Sequence, residues 1–128
     1  MSFDYVIDSY AWVEYYLGSK KGVKIKSIIE TRNIATPVLV IAELSDKFAR
    51  EKKDFNELLQ FISSRSTILP LAVKIAIDSG KFKFEMREKF KQFGLADAII
   101  YLTSKSNNSK LLTGDVHLKG LENVEFIE

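Results

Sequence analysis

Short apolar runs with the period of strands alternate along this chain with longer runs at helical spacing, and that alternation leaves few architectures open. FDYVI (residues 3–7), NIAT (33–36), STILPL (66–71), KLLTG (110–114) and VEFIE (124–128) read as strands. SYAWVEYYLG follows the first as a helix closed by Gly18, and a basic stretch over residues 20–26 leads into a second helix, IKSIIETR. Thr36 and Pro37 supply a capping hydroxyl and a proline at the first helical position, and the helix over residues 37–52 is predicted to bury Val38, Ile41, Leu44 and Phe48. Asp54 and Glu57 have the spacing of a capping box for FNELLQFISS. Residues 72–93 read as one long polar helix or a pair broken around Ser79 and Gly80, and Gly94 precedes the helix LADAIIYLTSKS. Strands separated by helices predict a three-layer α/β fold with a mostly parallel sheet, a single domain over residues 1–128.

Composition removes several classes of function. There is no cysteine, so disulfides, thiolate zinc sites and cysteine nucleophiles are excluded, and the single histidine, His117, rules out a multi-histidine metal centre. No window is long and uncharged enough to span a bilayer, and no basic leader precedes an apolar stretch, so a soluble cytoplasmic protein without a membrane partner is expected. A net charge of +2 permits a polyanionic partner without requiring one.

Four acids stand inside or just after apolar runs: Asp8 in YVIDSYAW, Glu43 in VLVIAELSDKF, Asp97 in GLADAIIYL and Asp115 in KLLTGDVHL. An ionised carboxylate drawn into low dielectric is costly unless it is paired or binds a cation. Asp8 and Asp115 follow predicted strands, at the carboxyl ends where open parallel sheets form their binding crevice. Each acid also has a purely local reading. Asp8, Asp97 and Asp115 can cap or polarise helix starts, and Glu43 can be a solvated helix residue. If the four converge, two carboxylates about 5 Å apart repel by roughly 3 kcal/mol at an effective dielectric of about 20. An all-oxygen cluster of that kind suits Mg²⁺ or Mn²⁺, the ions most associated with phosphoryl transfer.

VIDSYAW, PVLVIAELSDKF, GLADAIIYLTS and LLTGDVHLKGLENVEFI, in that order and spacing, give the chain a resemblance over nearly its whole length to the PIN-domain ribonucleases and, among them, to VapC-type toxins. The resemblance implies a Mg²⁺- or Mn²⁺-dependent endoribonuclease in which water attacks an RNA phosphodiester. Asp8, Asp97 and Asp115 correspond to metal ligands. Glu43 would position or deprotonate the water or bind a second ion, and Ser9 and Thr113 would hydrogen-bond the carboxylates. It also implies an RNA substrate, an antitoxin protein that silences the site, and a homodimer. The chain departs from the family at His117, where many members carry a further acid. A lone imidazole adds little to a hard-oxygen site, so His117 is expected to meet solvent or substrate.

Two regions lie outside this pattern. Lys81, Lys83, Arg87, Lys89 and Lys91 interleave with Phe82, Phe84, Phe90 and Phe93, either as an RNA-binding face or as an amphipathic helix with its phenylalanines buried. Trp12, Tyr15 and Tyr16 read as core or dimer surface. The alternative functions are a non-catalytic PIN-fold module that binds RNA or protein, and a phospho-accepting receiver domain, whose acids would be distributed differently.

Overall fold

The first strand, β1 (Tyr5–Ile7), is only three residues long and is buried throughout. The computed structural model describes residues 2–128, so only residue 1 of the expected span lies outside it. After β1 come helices α1 (Ser9–Leu17) and α2 (Lys20–Thr31), strand β2 (Ile34–Pro37), helices α3 (Val38–Arg50) and α4 (Asn56–Arg65), strand β3 (Thr67–Leu69) and helix α5 (Val73–Met86). Helix α6 (Leu95–Ser106), strand β4 (Lys110–Thr113), a 3₁₀ turn (Val116–Leu118) and strand β5 (Val124–Phe126) complete the chain. The sheet order is β3-β2-β1-β4-β5, and every pairing is parallel. The expected three-layer α/β fold is therefore present, with a wholly parallel sheet.

The topology decides where a ligand can sit. From β1 the chain winds outward through β2 to β3, then returns to lay β4 on the other side of β1, with Tyr5 opposite both Ile34 and Lys110. Strand order reverses between β1 and β4, which is the crevice-forming switch point of an open α/β sheet. Asp8 leaves the end of β1, and Asp115 leaves the end of β4.

Beneath the crevice the core is continuous. Val6, Ile7, Trp12, Ile29, Ile34, Val40, Leu44, Ile62, Leu111 and Leu112 are all essentially inaccessible. Trp12 packs edge-on against Tyr15 and Phe61, and its indole Nε1 donates to Thr36 Oγ1 at 3.2 Å. No described helix is long and apolar enough to cross a membrane.

Several local expectations are corrected. Helix α2 starts at Lys20 behind a Ser19 cap, so the basic stretch is its first two turns and not a lead-in. Pro37 ends β2 and precedes α3, with no side-chain cap; the Thr36 hydroxyl is taken by Trp12 and by Ser66 at 2.7 Å. The buried stripe of α3 is Val40, Leu44 and Phe48, packed against the core, with Ile41 half-buried and Val38 exposed. Asp54 accepts from the Asn56 backbone N–H, so it bends the chain into α4 without the anticipated box. Helix α5 runs unbroken through Ser79 and Gly80 and stops after Met86.

Candidate metal centre

Asp8 begins α1 as its N-cap, its Oδ1 accepting from the Ala11 N–H at 2.8 Å. Asp97 lies in the first turn of α6, where its Oδ2 accepts from the Gly94 N–H at 2.9 Å. Asp115 caps the 3₁₀ turn, its Oδ1 accepting from the His117 N–H at 2.9 Å. The capping reading of all three thus holds as local structure. Each of those hydrogen bonds occupies one carboxylate oxygen and leaves the other.

The same three acids also line a single cavity of about 360 Å³ together with Glu43, Ser9, Tyr10, Ile100, Gly114, Val116 and Leu118. Glu43 enters from α3 and is held there by Ser9, whose Oγ donates to its Oε1 at 2.7 Å. Thr113 is fully buried at the end of β4, its Oγ1 accepting from the Asp115 N–H at 3.0 Å. Among the described residues no lysine or arginine lines the cavity.

Electrostatics records that imbalance. Asp8, only 5% exposed, has its carboxyl pushed up to about 7, chiefly by burial; the Thr113 hydroxyl and the Ala11 N–H pull it down, and the Asp115 and Glu43 charges push it further up. Asp97 is raised as well, first by burial and then by sharing a hydrogen bond and repulsion with Asp115, against the Gly94 N–H and His117. Carboxyls that resist ionisation chiefly because they are buried, and further because like charges face them, are groups a divalent cation would stabilise. Oxygen donors of this kind fit a hard ion such as Mg²⁺ or Mn²⁺.

Two further side chains stand at the edge of the site, of which the sequence marked only His117, expected there to meet solvent or substrate. His117 stands beside the acids, its Nδ1 3.3 Å from Asp115 Oδ1, and one ligand atom each of Asp97, Asp115 and His117 lies within 4.8 Å of the others. Tyr10 forms part of the rim. A Cβ on Gly114 would come within 2.1 Å of the Tyr10 ring, and the Tyr10 hydroxyl accepts from Lys21 Nζ at 2.8 Å. The glycine within TGD was the available signal for that close approach. Nothing local marked Tyr10.

A parallel sheet whose switch point gathers four acids defines an α/β protein with an acidic crevice at the β1 and β4 ends. The PIN domain model matches residues 5–124, and the chain belongs to the PIN domain family, a nuclease family that includes VapC-type toxins. The fold is similar to that of VapBC2 from Rickettsia felis bound to a promoter DNA fragment, at 21% identity and a TM-score of 0.76 over 97% of this chain and 98% of that one. DNA-bound VapBC from Salmonella typhimurium gives 15% identity and a TM-score of 0.71 with both chains fully covered. Mycobacterium tuberculosis VapC20, described as a sarcin-ricin loop cleaving toxin, gives 12% identity and 0.68 over 94% of this chain and 98% of that one. At these identities the likeness is one of fold. No functionally curated protein matches the sequence.

Proposed function

We propose that the protein is a divalent-metal-dependent endoribonuclease and the toxin of a toxin-antitoxin pair. The observation that carries this reading is the convergence of Asp8, Glu43, Asp97 and Asp115 on one cavity that no basic side chain among the described residues lines. Asp8, Asp97 and Asp115 would hold Mg²⁺ or Mn²⁺ through the oxygens left free by their caps. A bound ion of this class supplies Lewis acidity and offsets charge on the phosphoryl oxygens. Glu43, fixed through one oxygen by Ser9, would use the other to orient a water and accept its proton as the water oxygen bonds to phosphorus, while the P–O bond to the leaving ribose oxygen breaks and that oxygen takes a proton from solvent. Thr113 braces Asp8 and the Asp115 backbone.

The reading extends to partners. A cavity of about 550 Å³ between α1, α2 and α4, lined by Tyr15, Tyr16, Val23, Leu58 and Phe61 together with the charged Lys26, Glu30 and Glu57, supports a protein partner such as an antitoxin. Exposed Val38, Ile68, Leu71, Val73 and Ile77, near the β3 edge, support a homodimer.

The test is cleavage of varied RNAs with Mn²⁺ or Mg²⁺. Asp8→Asn and Asp97→Asn are expected to lower the rate by at least about 10²-fold with the circular dichroism spectrum unchanged. Metal-independent cleavage would overturn the reading. RNA binding without cleavage, insensitive to chelator and to Asp97→Asn, would replace it with a non-catalytic PIN-fold binding module.

A further inference from the structure

We propose that His117 is a nitrogen ligand of the same metal centre and biases it toward Mn²⁺ and related first-row transition ions over Mg²⁺. This inference rests on the metal-binding part of the functional reading and goes beyond it. The sequence argues for a purely oxygen-donor site, because one imidazole in a chain of acids has no partner histidine. The fold places that imidazole among the acids nonetheless.

The 3₁₀ turn after β4 accounts for its position. Asp115 closes the turn through the His117 N–H, and Leu118, 1% exposed, anchors the turn in the core. These two fixed points hold the His117 backbone beside the acids. Its Nδ1 lies 3.3 Å from Asp115 Oδ1, and the Phe90 ring stands 6.1 Å from the imidazole on another side. An octahedral ion with bonds of about 2.1 Å separates adjacent ligands by about 3.0 Å and opposite ones by about 4.2 Å. The span of 4.8 Å or less among Asp97, Asp115 and His117 is close to those separations, so small side-chain rotations bring all three to one ion.

Donor chemistry then sets the selectivity. Mg²⁺ favours carboxylate, carbonyl and water oxygens, whereas imidazole suits transition ions, and affinity for mixed nitrogen and oxygen sites rises along the first row. A carboxylate at the same place would leave the site hard and add charge beside Asp97 and Asp115. Replacing that acid with His117 lowers mutual repulsion and softens the donor set together.

A second role for His117, holding Asp115 through a hydrogen bond without touching the ion, predicts different spectroscopy. The full-length chain is titrated with Mn²⁺ alone, followed by electron paramagnetic resonance, then by Mg²⁺ competition, with electron spin-echo envelope modulation of the Mn²⁺ complex. Wild type is expected to show coupling to a directly bonded ¹⁴N. His117→Ala and His117→Asp are expected to lose it and to lower the ratio of Mn²⁺ to Mg²⁺ affinity by about tenfold or more. Either substitution keeps the backbone N–H that closes the turn, and melting curves confirm that the variants are folded. Bound Mn²⁺ without ¹⁴N coupling, or an unchanged affinity ratio in both variants, would overturn the inference. Nitrogen coupling in a protein that cleaves no RNA would sink the ribonuclease reading while leaving this one standing, and failure to bind Mn²⁺ at all would remove both.

Discussion

Asp8 is buried at the end of a buried strand, and its charge faces those of Asp115 and Glu43. Its carboxyl is raised from 3.8 to about 7. The folded protein therefore binds a proton more tightly than the unfolded chain between roughly pH 4 and pH 7. Stability falls as pH rises through that window, and the penalty, of order 4 kcal/mol, is complete above it. Asp97 contributes with the same sign. Metal-free Asp8→Asn is accordingly expected to melt above the metal-free wild type at pH 7.5, with the difference closing near pH 4. Asparagine can still accept the Ala11 N–H, so the cap is retained. An equal or lower melting temperature for Asp8→Asn at pH 7.5 would show that Asp8 is not strained by its surroundings. In the wild type, Mn²⁺ should raise the melting temperature more at pH 7.5 than at pH 5, because binding must displace the protons held at low pH.

At the scale of elements, the segment after β4 does most to shape the site. Thr113 accepts the Asp115 N–H, Gly114 lets the Tyr10 ring approach, and Asp115 starts the 3₁₀ turn. Gly114→Ala sets a methyl 2.1 Å from the Tyr10 ring, and the ring must leave the rim. A loss of RNA cleavage of about 10²-fold is expected, in line with the cost of small misplacements at a reacting centre, and Tyr10→Ala in the same chain should restore part of it. No rescue in the double variant would show that Gly114 acts through the backbone alone. The elements themselves were largely legible in the sequence, since periodicity located all five strands and the Gly18 and Gly94 boundaries. What was not legible depended on distant partners. The Thr36 hydroxyl reads as a cap from its neighbours, yet Trp12 and Ser66 claim it across the fold. Gly80 reads as a break, yet α5 continues through it, with Ser79 fully buried beside it.

For the whole molecule, the decisive event is the return of the chain from α6 to lay β4 against β1. It brings Asp115 to Asp8 across a sequence separation that no local pattern spans, while α3 and α6 deliver Glu43 and Asp97 to the same crevice. The four acids were visible as misplaced charges. Their meeting follows from the strand order, and the presence of His117 among them from a turn three residues long. The segment over residues 81–93 divides between both earlier readings: Phe93 is buried and Phe82 packs on it and on Tyr101, whereas Phe84 and Phe90 stay exposed beside their basic neighbours. By this topology the chain is proposed to build one divalent-cation centre. A crystal of the full chain equilibrated with Mn²⁺ tests it most directly, by anomalous scattering. A Mn²⁺ peak is expected within bonding distance of carboxylate oxygens of Asp8, Asp97 and Asp115. Carboxylates turned apart, with no peak between them at saturating Mn²⁺, would contradict it.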